Sequence, residues 1–166
     1  MIDWSDVGTE VSLTTSAPVR VVWDLVTDLS RTPEWNRETR HTIWNPPASR
    51  PEVGATFRAV NRLGEREWQV ECHVIVADPR AAFEWTVLAP ELPSSTWWYR
   101  LRDQGGGTEI RHGFQHGPGP SGLRHAVEHD PEAAQTIIDG RVALLAANMG
   151  HTLGVIKHLA ERSGSP

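Results

Sequence analysis

One cysteine, one lysine and one tyrosine are all that the 166 residues contain of those types, and no stretch of the chain is strongly basic or continuously apolar. With Cys72 alone no internal disulfide can form, and a single thiol suits a reducing compartment. Sixteen basic residues stand against 21 acidic ones, a formal net charge of -5. An acidic chain whose arginines never cluster does not attract a phosphate backbone, so nucleic acid is not an expected partner. The longest apolar run, Val142 to Ala147, falls far short of the roughly 20 residues that cross a bilayer as a helix. The opening Met1-Ile2-Asp3-Trp4-Ser5-Asp6 lacks the basic-then-apolar order of a secretory signal. Together these absences predict a cytoplasmic protein with no integral membrane segment. Catalytic signatures are missing too: there is no G-x-S-x-G, no phosphate-cradling glycine loop and no dinucleotide fingerprint.

Tryptophan is what the chain does have. Eight of the 12 aromatic residues are Trp, each a large apolar body with an indole N–H that wants a partner when buried. They either fill a core or line a cavity for an apolar ring system. The length fits one domain, predicted over residues 1–162, with Ser163-Gly164-Ser165-Pro166 as a frayed tail. A domain of this size buries about 68–70% of its unfolded surface and needs no disulfide or structural metal.

Alternation of apolar and polar residues predicts a strand over Val7–Thr14. Ser16-Ala17-Pro18 then predicts a helix start, with Ser16 as N-cap and proline in the first turn, running to about Asp28. Ser30–Asn36 reads as a second short helix closed by Trp35. Further strands follow in His41–Trp44 and Phe57–Leu63, and in Glu67–Val76, where Trp68, Val70, Cys72, Val74 and Val76 share a face. Phe83–Val87, Trp97–Arg102 and Glu109–His116 complete the series. Ser121–His129 reads as a short helix, and Asp130-Pro131 as the cap and first position of a long one ending near Arg162. In that long helix Ile138, Val142, Leu145, Met149, Leu153, Ile156 and Ala160 fall on one face.

The layout is α+β: a curved antiparallel sheet wrapped around a long C-terminal helix, with two short helices after the first strand. A curved sheet and one helix cannot fill the space between them, which predicts an internal cavity. Ser16-Ala17-Pro18-Val19-Arg20-Val21-Val22-Trp23-Asp24-Leu25-Val26-Thr27-Asp28 resembles the opening segment of the START-related helix-grip (SRPBCC) superfamily, in its polyketide cyclase/dehydrase and lipid-transport branch. Pro33-Glu34-Trp35-Asn36, Val53-Gly54 with Phe57, Asp78-Pro79 and Gly107-Thr108-Glu109-Ile110 are similar to later motifs of that superfamily, in the same order along nearly the whole chain. The resemblance implies binding of a hydrophobic small molecule, polyketide- or lipid-like, with cyclase activity, transport or chaperone activation all represented among its members.

If the strand phases hold, Asn61, Cys72, Tyr99, His112 and His116 are the polar residues facing the cavity, and Arg141, Asn148 and Thr152 flank the helix stripe beside Met149. A neutral His112 or His116 would serve as base for proton abstraction α to a carbonyl, Tyr99 as proton donor and Arg141 as clamp for an enolate. Otherwise they are satisfied polar groups, or the phase is wrong and they face water. Trp68, Trp85, Trp97 and Phe114 are candidate ligand walls or core. Trp23 and Trp35 read as packing, and Trp98 as the one that looks outward, where exposure would mark an association surface. Trp4 and Trp44 have no assignment. Cys72, with valines in phase on both sides, reads as a small buried hydrophobe. His151 and His158 fall on the solvent side. His125-Ala126-Val127-Glu128-His129 matches the H-x-x-E-H inverted zinc-protease pattern, but few carboxylates follow to complete a site. It reads as a polar helix able at most to pick up a metal from solution. No metal or cofactor is expected, and monomer and homodimer stay open.

Overall fold

The computed structural model describes residues 2–163. Strand β1 (Gly8–Thr15) leads into helix α1 (Val19–Thr27) and a 3-10 helix at Leu29–Glu34. Strands β2 (Thr39–Trp44), β3 (Thr56–Leu63), β4 (Arg66–Asp78), β5 (Ala82–Val87), β6 (Ser95–Asp103) and β7 (Thr108–His116) follow. Helix α2 (Gly122–His129), a 3-10 turn at Pro131–Ala133 and helix α3 (Ala134–Ser163) complete the order. The seven strands form one antiparallel sheet in the order β1-β7-β6-β5-β4-β3-β2. The α+β architecture expected from the sequence is the one observed. No described helix is long and apolar enough to cross a membrane.

The stripe on α3 is its buried face. Ile138, Leu145, Met149, Leu153, Ile156 and Ala160 are all buried, with Val142 half-buried among them. Leu153, Ile156 and Ala160 join Val22, Leu25 and Val26 of α1 and the sheet residues Phe57, Val74, Phe83, Tyr99 and Ile110 in the main core. The upper turns of α3 pack separately, Leu145 and Met149 against Phe114. At the far end, Thr15 Oγ1 and the Ser16 backbone N–H donate to Glu161 Oε1, tying the end of β1 to the last turns of α3.

That tie corrects the expected start of α1. Pro18, not Ser16, stands at the N-cap position and makes no side-chain cap bond. Ala17 precedes a proline and is therefore biased away from helical geometry, which delays the first turn to Val19. The next short helix is a 3-10 segment, capped by the Asp28 carboxylate at Ser30 and closed by Trp35 N–H donating to Thr32 O. Asp130 does cap the C-terminal helical segment, accepting from Ala133 N, but proline opens a 3-10 turn ahead of α3. Ser163, expected in the frayed tail, is the last residue of α3, while the rest of that tail and Met1 lie outside the described residues.

In β4 the predicted phase fails at Val76. A bulge between Val74 and Val76 shifts the pairing with β5, so Ala77 stands opposite Phe83 and packs on the core, while Val76 pairs with outward Glu84. One inserted residue turns every later side chain to the other face. In β2 it is Thr42 and Trp44 that turn inward and His41 and Ile43 that are exposed. Trp98 does lie on the outer face but is not a bare patch. Its indole N–H donates to Glu10 Oε2 at 2.7 Å, and Arg100 covers its ring at 4.5 Å.

Candidate functional site

Between the concave face of the sheet and the helices lies a cavity of about 530 Å³, in the size range of small-molecule sites. Cross-strand register builds its wall in rows. One row runs Val74, Trp85, Trp97, Phe114 from β4 to β7; the next runs Ala77, Phe83, Tyr99, His112. Directly opposed inward residues on antiparallel strands approach to contact distance, so the rows become stacks. Trp97 stacks on Phe114 with centroids 5.0 Å apart, and Tyr99 on His112 at 4.2 Å and 12°. Trp85 joins Phe83 and Tyr99 at 5.2 and 5.9 Å.

Asn61, Trp68, Trp85, Trp97, Tyr99, His112, Phe114, His116, Arg141, Asn148, Met149 and Thr152 all border this cavity. Their chemical freedom differs. His112 is 2% exposed; its Nδ1 lies 2.9 Å from the Trp98 carbonyl. A carbonyl only accepts, so Nδ1 carries the proton and Nε2 keeps its lone pair. Burial lowers the His112 pKa to about 4 against the partial support of that carbonyl, so the ring is neutral at physiological pH.

His116 is engaged at both nitrogens, Nδ1 with Gly117 O and Nε2 with Ser121 Oγ, each at 2.8 Å. Ser121 is also the N-cap of α2, accepting from Arg124 N. His116 therefore anchors that helix to β7. Burial lowers its pKa, the Gly117 bond opposes this and the Arg124 charge adds to it.

Tyr99 is buried, and burial raises its phenol pKa well above the ordinary value, against a hydrogen bond from Trp35. Arg141 is held by Glu38 in a two-pronged ion pair, Nη1 to Oε1 at 2.6 Å and Nη2 to Oε2 at 2.9 Å, with Asn148 Nδ2 at 3.4 Å from the same carboxylate. Its charge is matched before any ligand arrives. Thr152 Oγ1 donates to Trp35 O at 3.1 Å. Cys72 borders the cavity as a buried thiol whose pKa is raised chiefly by burial, and secondarily by Glu71, so it is no nucleophile at neutral pH.

Sequence patterns missed several lining residues. Trp35, read as packing, is 2% exposed and forms part of the wall. Glu38, Thr39 and Thr42 come from the short segment where alternation left the inward face undecided. Trp4, outside the lining, sits on a 3-10 turn at Trp4–Asp6 with its ring 4.5 Å from that of His116 at a 39° tilt and Arg124 over its ring at 4.3 Å. Exposed Leu63 and Arg66, at the β3–β4 turn, face Pro120 and Gly122 at the start of α2 and form the rim.

Among the described residues no group of three or more His, Cys, Asp or Glu could hold a metal ion. His125 and His129, and likewise His151 and His158, are exposed.

A family model described as polyketide cyclase/dehydrase and lipid transport matches residues 7–150. Among solved structures, a polyketide cyclase-like protein from Corynebacterium glutamicum is 28% identical, with TM-score 0.69 over 93% of this chain and 91% of that one. The ZhuI aromatase/cyclase from Streptomyces sp. R1128 shares 17% identity at TM-score 0.70, over 93% of each chain. The two-domain aromatase/cyclase StfQ of the steffimycin biosynthetic pathway shares 15% at TM-score 0.74, this chain covering 52% of its length. The last two show likeness of fold alone. No curated protein matches.

Proposed function

Because the chain belongs to the polyketide cyclase/dehydrase and lipid transport family, we propose that it binds an apolar, ring-containing small molecule, polyketide- or lipid-like, inside the sheet-and-helix cavity. The observation that carries this reading is the continuous aromatic wall of Trp85, Trp97, Phe83, Tyr99 and Phe114 around about 530 Å³ of space. An interaction module working through the outer sheet face has no use for such a cavity. Flat aromatic walls favour planar ring ligands by stacking as well as by exclusion of water. The test is mass spectrometry of what co-purifies with the protein, before and after incubation. A retained ring compound supports a carrier or sensor, conversion of that compound supports an enzyme, and an empty cavity that takes up no aromatic probe overturns the reading.

A second reading, acid/base cyclase or dehydratase chemistry, is favoured by one observation. His112 spends Nδ1 on the Trp98 carbonyl and keeps Nε2 for a substrate C–H beside stacked Tyr99. With a pKa of about 4, His112 is a weak base and suits only an acidified proton, such as one between two carbonyls. Arg141, matched by Glu38, contributes less to an enolate than a free cation would. Binding without conversion is therefore the better supported function. If a bound ligand is converted, His112→Ala should slow turnover by about a hundredfold or more. His112→Ala with His116→Ala leaving turnover unchanged would sink the mechanism.

A further inference from the structure

We propose that Thr42, with the side-chain amide of Asn61, is a binding subsite for one uncharged carbonyl oxygen of the ligand, a ketone rather than a carboxylate or phosphate. The proposal rests on the cavity-binding reading above and specifies which ligands that cavity prefers.

Thr42 is 6% exposed, borders the cavity and has no hydrogen-bond partner for Oγ1, alone in this respect among the buried side-chain atoms of the described residues. Buried hydroxyls are almost always paired, because an orphan keeps the cost of losing water without the return of a bond. The register explains why no neighbour serves it. Thr42 stands opposite Ala59, and beyond Ala59 comes Val70, so the row across the sheet offers only apolar side chains.

Asn61 stands on the same face in the adjacent row, opposite Thr39. Thr39 Oγ1 donates to Asn61 Oδ1 at 2.9 Å, which turns the Nδ2 donors elsewhere, and among the described residues no other bond engages that amide. Two unengaged donors therefore stand on one diagonal of the β2–β3 wall, and diagonal neighbours are within joint reach of one group. The Thr42 hydroxyl can donate and the Asn61 Nδ2 group can only donate, so one oxygen with two lone pairs, which a ketone has, takes a bond from each.

Charge selects against an anion. Glu38 lies on the same side of the cavity, and the cation beside it, Arg141, is already committed to it. A carboxylate entering here would lose its hydration and meet like charge.

The test uses 9-fluorenone, fluorene and fluorene-9-carboxylate, matched tricycles carrying a ketone, a methylene and an anion, titrated against intrinsic tryptophan emission. Thr42→Val should weaken fluorenone binding by about fivefold or more while leaving fluorene within about twofold. Thr42→Ser should keep the ketone preference, which separates loss of the hydroxyl from any disturbance of the fold. Equal effects of Thr42→Val on ketone and methylene, or a carboxylate that binds more tightly than the ketone, overturns the subsite alone. If neither neutral tricycle binds the wild type, the cavity-binding reading fails and the subsite with it.

Discussion

Tyr99 and His112 face each other across β6 and β7 with their rings 4.2 Å apart and only 12° from parallel. The stack seals His112 from water on one side while the Trp98 carbonyl fixes its proton on the other. Position, tautomer and charge state of the imidazole thus follow from strand register.

A pH dependence of stability follows. The His112 pKa falls from 6.5 to about 4 on folding, so the unfolded chain takes up the proton first as the pH drops. Its contribution is fully present above pH 6.5 and is lost between there and about 4, on the order of 3 kcal/mol. Denaturant titrations at pH 7, 5.5 and 4.5 should show the decline, and His112→Phe should flatten it. An unchanged slope in that variant would place the titration elsewhere.

Gly113 lies on the outer face of β7 under Trp98. A Cβ there would stand 2.5 Å from Trp98 Cζ2 and 2.9 Å from Thr9 O, backbone that cannot swing aside. Gly113→Ala should destabilise by about 1–3 kcal/mol, read as a lower denaturation midpoint with the slope unchanged.

Removing one member of the Glu38–Arg141 pair should cost more than removing both. Both side chains are largely buried, at 13% and 24% exposure, so Arg141→Met strands a carboxylate beside the cavity. We expect a loss of about 2–3 kcal/mol for Arg141→Met and a smaller one for the double change with Glu38→Leu, a coupling that a double-mutant cycle measures. Additive losses would mean that the pair is solvated.

The His116–Ser121 bond sets the stability of α2. Ser121→Ala removes the N-cap at Arg124 and should cost about 1 kcal/mol. His116→Ala should act on the same helix. Amide exchange within Gly122–His129 should speed up in both variants and hardly change in α3.

How much of this was written in the chain depends on the pattern that wrote it. Where one face of a strand is buried and the other wet, as from Trp97 to Leu101 or from Ile110 to His116, alternation places each side chain, and all twelve expected site residues border the cavity. The seven-residue stripe on α3 is as legible, because it spans more than six turns. Val76 was misplaced because a bulge leaves no mark in an alternating run. Ser16 looked like a cap, but the residue before a proline resists helical geometry. Glu38 and Thr42 escaped notice because β2 is short and carries polar residues on both faces. The engagement of Arg141 and His116 lies beyond any local pattern, since their partners come from other elements.

The strand order has a kinetic consequence. Strands β2 to β7 each lie beside their neighbours in the chain, so five hairpins can zip up without closing a long loop. Strand β1 alone pairs with the opposite end of the series, Val11 standing across from His112. Within the sheet its docking closes by far the longest loop, which makes it the pairing expected to form last. The same strand leads directly into the helices that carry Val26 and Trp35 to the ligand chamber, so the chamber's wall is complete only once β1 has docked.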